Sequence, residues 1–143
     1  MRNTLSISRL FVVVPLLLFL SGCGSDSLEI ELDDNSSWSS PLDIGTLSAD
    51  KGTRFKFYSN YSGVWEAVVA FRVPAAATYA VQYQGRDAFS VAIRLKQMGA
   101  ALLAPAHGVV ETVQLEPDIS YFLVIEQIDT AQLGASSVTI WAD

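Results

Sequence analysis

Phe89-Ser90-Val91-Ala92-Ile93-Arg94-Leu95-Lys96 places Phe, Val, Ile and Leu at every second position, with Ser, Ala, Arg and Lys between them. A strand points successive side chains to opposite faces, so this order gives one apolar and one mostly polar surface, whereas a helix would need a period of 3.6. The same period of two continues on both sides. Upstream, Tyr79, Val81 and Tyr83 alternate with Ala80, Gln82 and Gln84 and stop at Gly85. Phe55 and Phe57 alternate with Arg54, Lys56 and Tyr58, and Leu42, Ile44 and Thr46 with Asp43 and Gly45. A β-rich run from Trp65 to Val73 is stopped by Pro74. Downstream, Gly108 opens Val109 to Leu115, Ser120 opens Tyr121 to Gln127, and Val138 and Ile140 close the chain. The Tyr121 run is apolar on both faces except at Glu126, as expected of a central strand covered on both sides. Arg94 and Lys96 suit solvent-facing positions that block edge-to-edge pairing. Met98 to Ala104 is read as a helical turn or a loop. About eight short strands separated by turn signals predict an all-β domain over residues 41–143, an antiparallel β-sandwich.

The N-terminus has a different logic. Met1 to Arg9 carries Arg2 and Arg9 and no acid, and Leu10 to Leu20 is apolar without a break. A basic stretch followed by an apolar one of this length reads as a secretory signal, too short for a comfortable membrane span and interrupted by Pro15. It ends Leu20-Ser21-Gly22-Cys23. That ending resembles the lipobox of bacterial lipoproteins: aliphatic, small, small, cysteine. The resemblance implies a signal peptide over residues 1–22, cleavage between Gly22 and Cys23, and acyl chains such as palmitate on Cys23. It also implies a lipid-anchored location in the cell envelope. Gly24 stands where an Asp would favour inner-membrane retention, so in a Gram-negative host the expectation is the outer membrane, facing the periplasm. Cys23 is the only cysteine, so the processed chain keeps no free thiol for a disulfide, a metal site or a nucleophile. Residues 23–40, rich in Ser and acids, are read as an acidic mobile tether in which Leu28 to Leu32 alternates enough for a short strand.

Cleavage removes two of the nine basic residues and leaves fifteen acids, a net charge of −8. Nucleic-acid binding needs clustered Lys and Arg, so nucleic acid is excluded as a partner. Adsorption of the protein surface on anionic lipid is disfavoured for the same reason. The lipid on Cys23 is left as the link to the membrane.

The order of the strands resembles the jelly-roll-like β-sandwich of the bacterial pre-peptidase C-terminal domain over residues 41–141. Arg54-Phe55-Lys56-Phe57-Tyr58 matches its alternating aromatic strand, and Phe89 to Leu95 its middle strand. Leu115-Glu116-Pro117-Asp118-Ile119-Ser120-Tyr121 matches its late turn, with Asp118-Ile119 where that family usually has Gly. The Asp residues that often flank the aromatic strand are missing. The run Ala70 to Ala75, with Tyr79 and Phe89, also resembles the C-terminal half of the maltose-operon periplasmic protein. Both resemblances imply an exported accessory module, and neither implies catalysis.

No catalytic residues and no cofactor are assigned from the sequence. His107, the only histidine, sits in the turn Ala104-Pro105-Ala106-His107-Gly108 with no nucleophile motif around it. Glu29, Glu31, Asp33 and Asp34 could attract calcium, but their spacing matches no known calcium loop and a sharp-turn Gly is absent, so no metal site is assigned. Tyr58, Tyr61 and Trp65 surround Ser59, Asn60, Ser62 and Gly63, a mixture that can stack on a sugar ring and bond its hydroxyls, or simply pack a hairpin onto the sheet. Trp38 and Trp141 are read as caps of the sandwich. Two functions follow: a non-enzymatic, lipid-anchored module that binds another envelope protein, or a lipid-anchored binder of carbohydrate or another small ligand through the Tyr61 loop.

Overall fold

The computed structural model describes residues 27–143, so Gly22, Cys23 and the signal segment lie outside the described residues. Nine strands follow in order: β1 Ser27–Glu31, β2 Leu42–Thr46, β3 Gly52–Tyr58, β4 Glu66–Arg72, β5 Ala77–Gly85, β6 Phe89–Arg94, β7 Val110–Leu115, β8 Tyr121–Gln127 and β9 Ala135–Ala142. They form two sheets, β1-β3-β9-β5-β7 and β2-β4-β8-β6, packed as a sandwich. All pairings are antiparallel except two at the sheet edges, β1 with β3 and β2 with β4. No helix forms over 98–104; Leu103 instead bridges Ile93 beside β6.

The alternation sets the core. Phe55 and Phe57 of β3, Val81 and Tyr83 of β5, and Val138 and Ile140 of β9 point inward from one sheet. Ala67, Val69 and Phe71 of β4, Val91 and Ile93 of β6, and Leu123 and Ile125 of β8 meet them from the other. A buried phenol keeps its hydroxyl satisfied only by finding a partner, and three tyrosines find theirs in neighbouring turns. Tyr79 donates to the Ala75 carbonyl at 2.9 Å, and Tyr121 accepts from the Glu116 N–H at 2.8 Å. Tyr83 donates to the Arg86 carbonyl and accepts from Ala88 and Phe89. Burial is the chief cause that pushes the Tyr83 phenol above its ordinary pKa, so it remains a donor. The turn held by Tyr121 also explains the missing glycine: Asp118 itself adopts φ 65°, a left-handed conformation that Asp tolerates better than most residues.

The two outer faces differ. On the five-stranded sheet Arg54, Lys56, Gln82, Gln84, Ser137 and Thr139 face outward, a polar surface. On the four-stranded sheet Val68, Val124 and Ala92 form a row across β4, β8 and β6, and all three are buried although they point away from the core. This apolar face explains why β8 reads as apolar on both sides.

The expected tether is corrected here. From Ser27 onward it is folded: β1 pairs with β3, the Leu32 N–H donates to Lys56 O at 2.8 Å, and Leu32 is buried in the core. Ser36 Oγ accepts the Val68 N–H at 3.0 Å, and the Trp38 ring lies 5.0 Å from that of Phe122. Residues 32–40 therefore act as a strap fixed to the four-stranded sheet. Ile30 and Leu32 pack against the core at one sheet edge and Trp38 adds to the outer apolar layer, and that burial offsets the entropy of ordering a polar segment.

Candidate functional site

The β3–β4 loop, the β5–β6 turn and the β8–β9 loop lie at one end of the sandwich, as the pairs Tyr58–Ala135, Gly85–Ser136 and Glu66–Glu126 require. Gln127 braces this end. It falls in phase with Tyr121, Leu123 and Ile125, so its amide is carried inward and buried. There it accepts the Asn60 N–H at 3.0 Å and donates to the carbonyls of Asn60 and Asp129 at 2.8 and 3.1 Å. Ser59 adds a second brace, donating to Gln132 O at 2.9 Å and accepting the Gly134 N–H at 2.8 Å. Asn60 Oδ1 accepts from Ser62 and from the Gly63 N–H. Gly63 has φ +71°, and a Cβ there would stand 2.8 Å from Thr130, so the loops approach closely only because this position is glycine.

Large apolar side chains stand in water on this frame. Tyr61 is 88% exposed, Val64 80%, Ile128 68% and Tyr58 46%. Beneath them lies a buried aromatic set, with Phe57 4.7 Å from Phe89 edge-on and 5.7 Å from Trp65. The end is therefore an apolar display on loops locked by side-chain hydrogen bonds over an aromatic floor. Such a display favours association with another apolar surface, at little cost in loop ordering.

The three aromatic residues singled out in the sequence are not brought together. Tyr58 and Tyr61 are exposed, but Trp65 is only 7% exposed and packs edge-on against Phe89 at 5.5 Å. It is thus corrected from a ligand-stacking candidate to a core residue. The signal was present: Trp65 shares the phase of Ala67, Val69, Phe71 and Val73, all inward. Local sequence does not join Ile128 to Val64 and Tyr61, because the two loops lie 64 positions apart and only the fold brings them to one end. His107 is exposed in its turn, with Nε2 donating to the Gly85 carbonyl at 2.7 Å and its ring edge-on to Tyr83. That nitrogen is engaged structurally, and no hydrogen bond links the ring to a carboxylate or hydroxyl among the described residues. The acids near the start are separated: Glu29 pairs with Lys56 at 3.2 Å, and Asp33 accepts the Asn35 N–H at 3.0 Å. No group of three potential metal-ligating side chains converges among the described residues.

No protein-family model matches this sequence, and neither does any curated protein. Solved structures do share its fold. A periplasmic inhibitor of g-type lysozyme from Aeromonas hydrophila superposes with a TM-score of 0.50 at 10% identity, covering 82% of this chain and 96% of the inhibitor. The pre-peptidase C-terminal domain of a Bacillus anthracis collagenase gives a TM-score of 0.50 at 12% identity, covering 81% of this chain and 95% of that domain. At such identities the likeness is one of fold, and it bears out the sandwich expected from the strand order.

Proposed function

We propose that this chain is a lipid-anchored accessory protein of the cell envelope whose β-sandwich binds another protein through the loop end around Tyr61. The supporting observation is the exposure of Tyr61, Val64 and Ile128 on loops fixed by Gln127 and Ser59. The Aeromonas protein of the same fold is described as an inhibitor of a lysozyme in the periplasm, a precedent for a sandwich whose task is to bind a protein. The reading assigns no catalytic role: His107 serves a turn, and no base–nucleophile pair accompanies it among the described residues. Carbohydrate binding at the Tyr61 loop is the weaker reading, because Trp65 is withdrawn into the core.

The anchor gives the site an orientation. Cys23 stands four residues before Ser27, so a lipid there lies within about 14 Å of the first strand even if the intervening chain is fully extended. Ser27 pairs with Gly52 at the start of β3, whereas Tyr58 ends it. The docking end therefore lies the length of β3 from the point where the chain enters the fold, roughly 20 Å for six steps at 3.3 Å per residue, and on this reading it faces away from the membrane. With Gly24 after the cysteine, that membrane is the outer one in a host with two, and the loops then project into the periplasm.

The test is co-purification of the full chain from solubilised envelope membranes. The double variant Tyr61→Ser with Ile128→Ser is expected to keep its melting temperature and lose the co-purified protein. Retention of the same protein by the double variant overturns the assignment of the loop end. Cys23→Ser is expected to abolish lipid labelling; a labelled, membrane-bound Cys23→Ser product overturns the anchor.

A further inference from the structure

On the polar outer face of the five-stranded sheet, Gly52, Arg54, Gln82, Thr139 and Trp141, together with Asp50 and Lys51 just before β3, line an open cleft of about 370 Å³. It exists because Gly52 carries no side chain where β3 runs beside Trp141: a Cβ built there would lie 3.4 Å from the Trp141 Cβ and 3.6 Å from Thr139 Cγ2. The half-buried indole thus keeps a lateral wall clear of a neighbour. The pairs Arg54–Thr139 and Thr139–Gln82 set a guanidinium, a hydroxyl and an amide in one row across three strands. Arg54 Nε makes only a long 3.4 Å contact to Thr139, and no other partner engages the guanidinium among the described residues. The Gln82 amide and the indole N–H have no hydrogen-bond partner there either. Lys56, farther along β3 on this face, is by contrast paired with Glu29.

We infer that this cleft binds a saccharide bearing a carboxylate. An indole wall offers apolar contact to a sugar ring. An amide and a hydroxyl in a row answer ring hydroxyls or an acetamido group. The guanidinium, planar and forked, matches a carboxylate bidentately. Lys51 and Asp50 bring one charge of each sign to the same cleft, which leaves the Arg54 guanidinium as its net charge and favours a singly charged carboxylate over a dianionic phosphate. The open cleft on a flat sheet suits a chain passing through rather than a small molecule enclosed. The site lies on a different surface from the Tyr61 end, so it stands or falls independently of the protein-docking proposal.

Calorimetric titration of the full chain in detergent tests this with four probes. These are a galacturonic acid tetramer, a tetrasaccharide alternating N-acetylglucosamine with the O-lactyl sugar N-acetylmuramic acid, a neutral N-acetylglucosamine tetramer, and inorganic phosphate. At least one acidic saccharide is expected to bind at least tenfold more tightly than the neutral tetramer, and which of the two does so identifies the source of the carboxylate. Gly52→Val should weaken that binding at least tenfold while the melting temperature holds or rises, because Gly52 is not left-handed and valine favours strands. Arg54→Gln should erase the preference for acidic over neutral sugar. Equal binding of neutral and acidic tetramers, phosphate binding as tight as the tetrasaccharides, unchanged binding by Gly52→Val, or no binding of any saccharide each overturns the inference.

Discussion

Asn35-Ser36-Ser37-Trp38-Ser39-Ser40 and Ser59-Asn60-Tyr61-Ser62-Gly63 are nearly the same text: one aromatic residue among serines and asparagine. Their fates are opposite. Trp38 lies on Phe122 over an apolar sheet face, while Tyr61 is 88% exposed on a loop braced from below. The strap crosses a face whose buried row Val68, Val124 and Ala92 needs a cover. The loop sits above Phe57, Trp65 and Phe89, an aromatic set that is already closed. What lies beneath an aromatic residue decides whether it becomes packing or display, and local composition carries no information about that.

The contrast is sharpest inside one loop, where Trp65 and Tyr61 are four residues apart. Trp65→Ala opens the aromatic set and is expected to cost about 3–5 kcal/mol, the range for truncating a core Trp. Tyr61→Ala should change stability by less than about 0.5 kcal/mol, as for other exposed positions. Paired urea melts check both, and similar costs for the two variants break the comparison.

Gln127→Ala addresses the bracing. It strands the Asn60 N–H and the Asn60 and Asp129 carbonyls, and a loss of about 2 kcal/mol is expected. Amide exchange at Asn60 to Gly63 should accelerate more than exchange in β4. Unchanged exchange in that loop would mean that the frame does not depend on the buried amide.

Trp38→Ala separates a strap from a tether. A true tether would lose nothing, whereas a strap over Phe122 should lose about 1–2 kcal/mol, less than a core Trp because the ring is only partly buried. Chemical denaturation of the full chain decides between them.

The smallest effect concerns Glu66 and Glu126, which stand directly opposite each other on the same face as the strap. Desolvation and then the contact with Glu126 raise the Glu66 pKa above 4.5. A carboxyl raised on folding binds its proton more tightly in the folded state. It stabilises the fold at low pH, and that contribution is lost as pH rises from the unfolded value through the folded one. Glu66→Gln should therefore gain a few tenths of a kcal/mol at pH 7, in keeping with a solvent-screened pair, and nothing below pH 4. A variant less stable than the parent at pH 7 contradicts the like-charge account.

Much of this was legible in the residues. The period of two located β3, β5, β6 and β8 closely, and the two-faced apolarity of β8 marked it as central. The inward phase of Trp65 and Gln127 was also there to be read. Illegible were features fixed by distant chain: the parallel partners of β1 and β2, the strap formed by a polar segment, and the addition of Ile128 to the Tyr61 end. The cleft beside Trp141 was equally hidden, since Gly52, Gln82 and Thr139 meet only through β9.

The central claim is that the loop end, remote from the anchor, meets a protein partner. Its most direct test is photocrosslinking in living cells, with a photoreactive residue placed in the full chain at Tyr61, at Val64, or at the exposed Thr112 of β7. Discrete adducts of one mass are expected from positions 61 and 64 and none from 112. No adduct at the loop end, or the same adducts from all three positions, would contradict it.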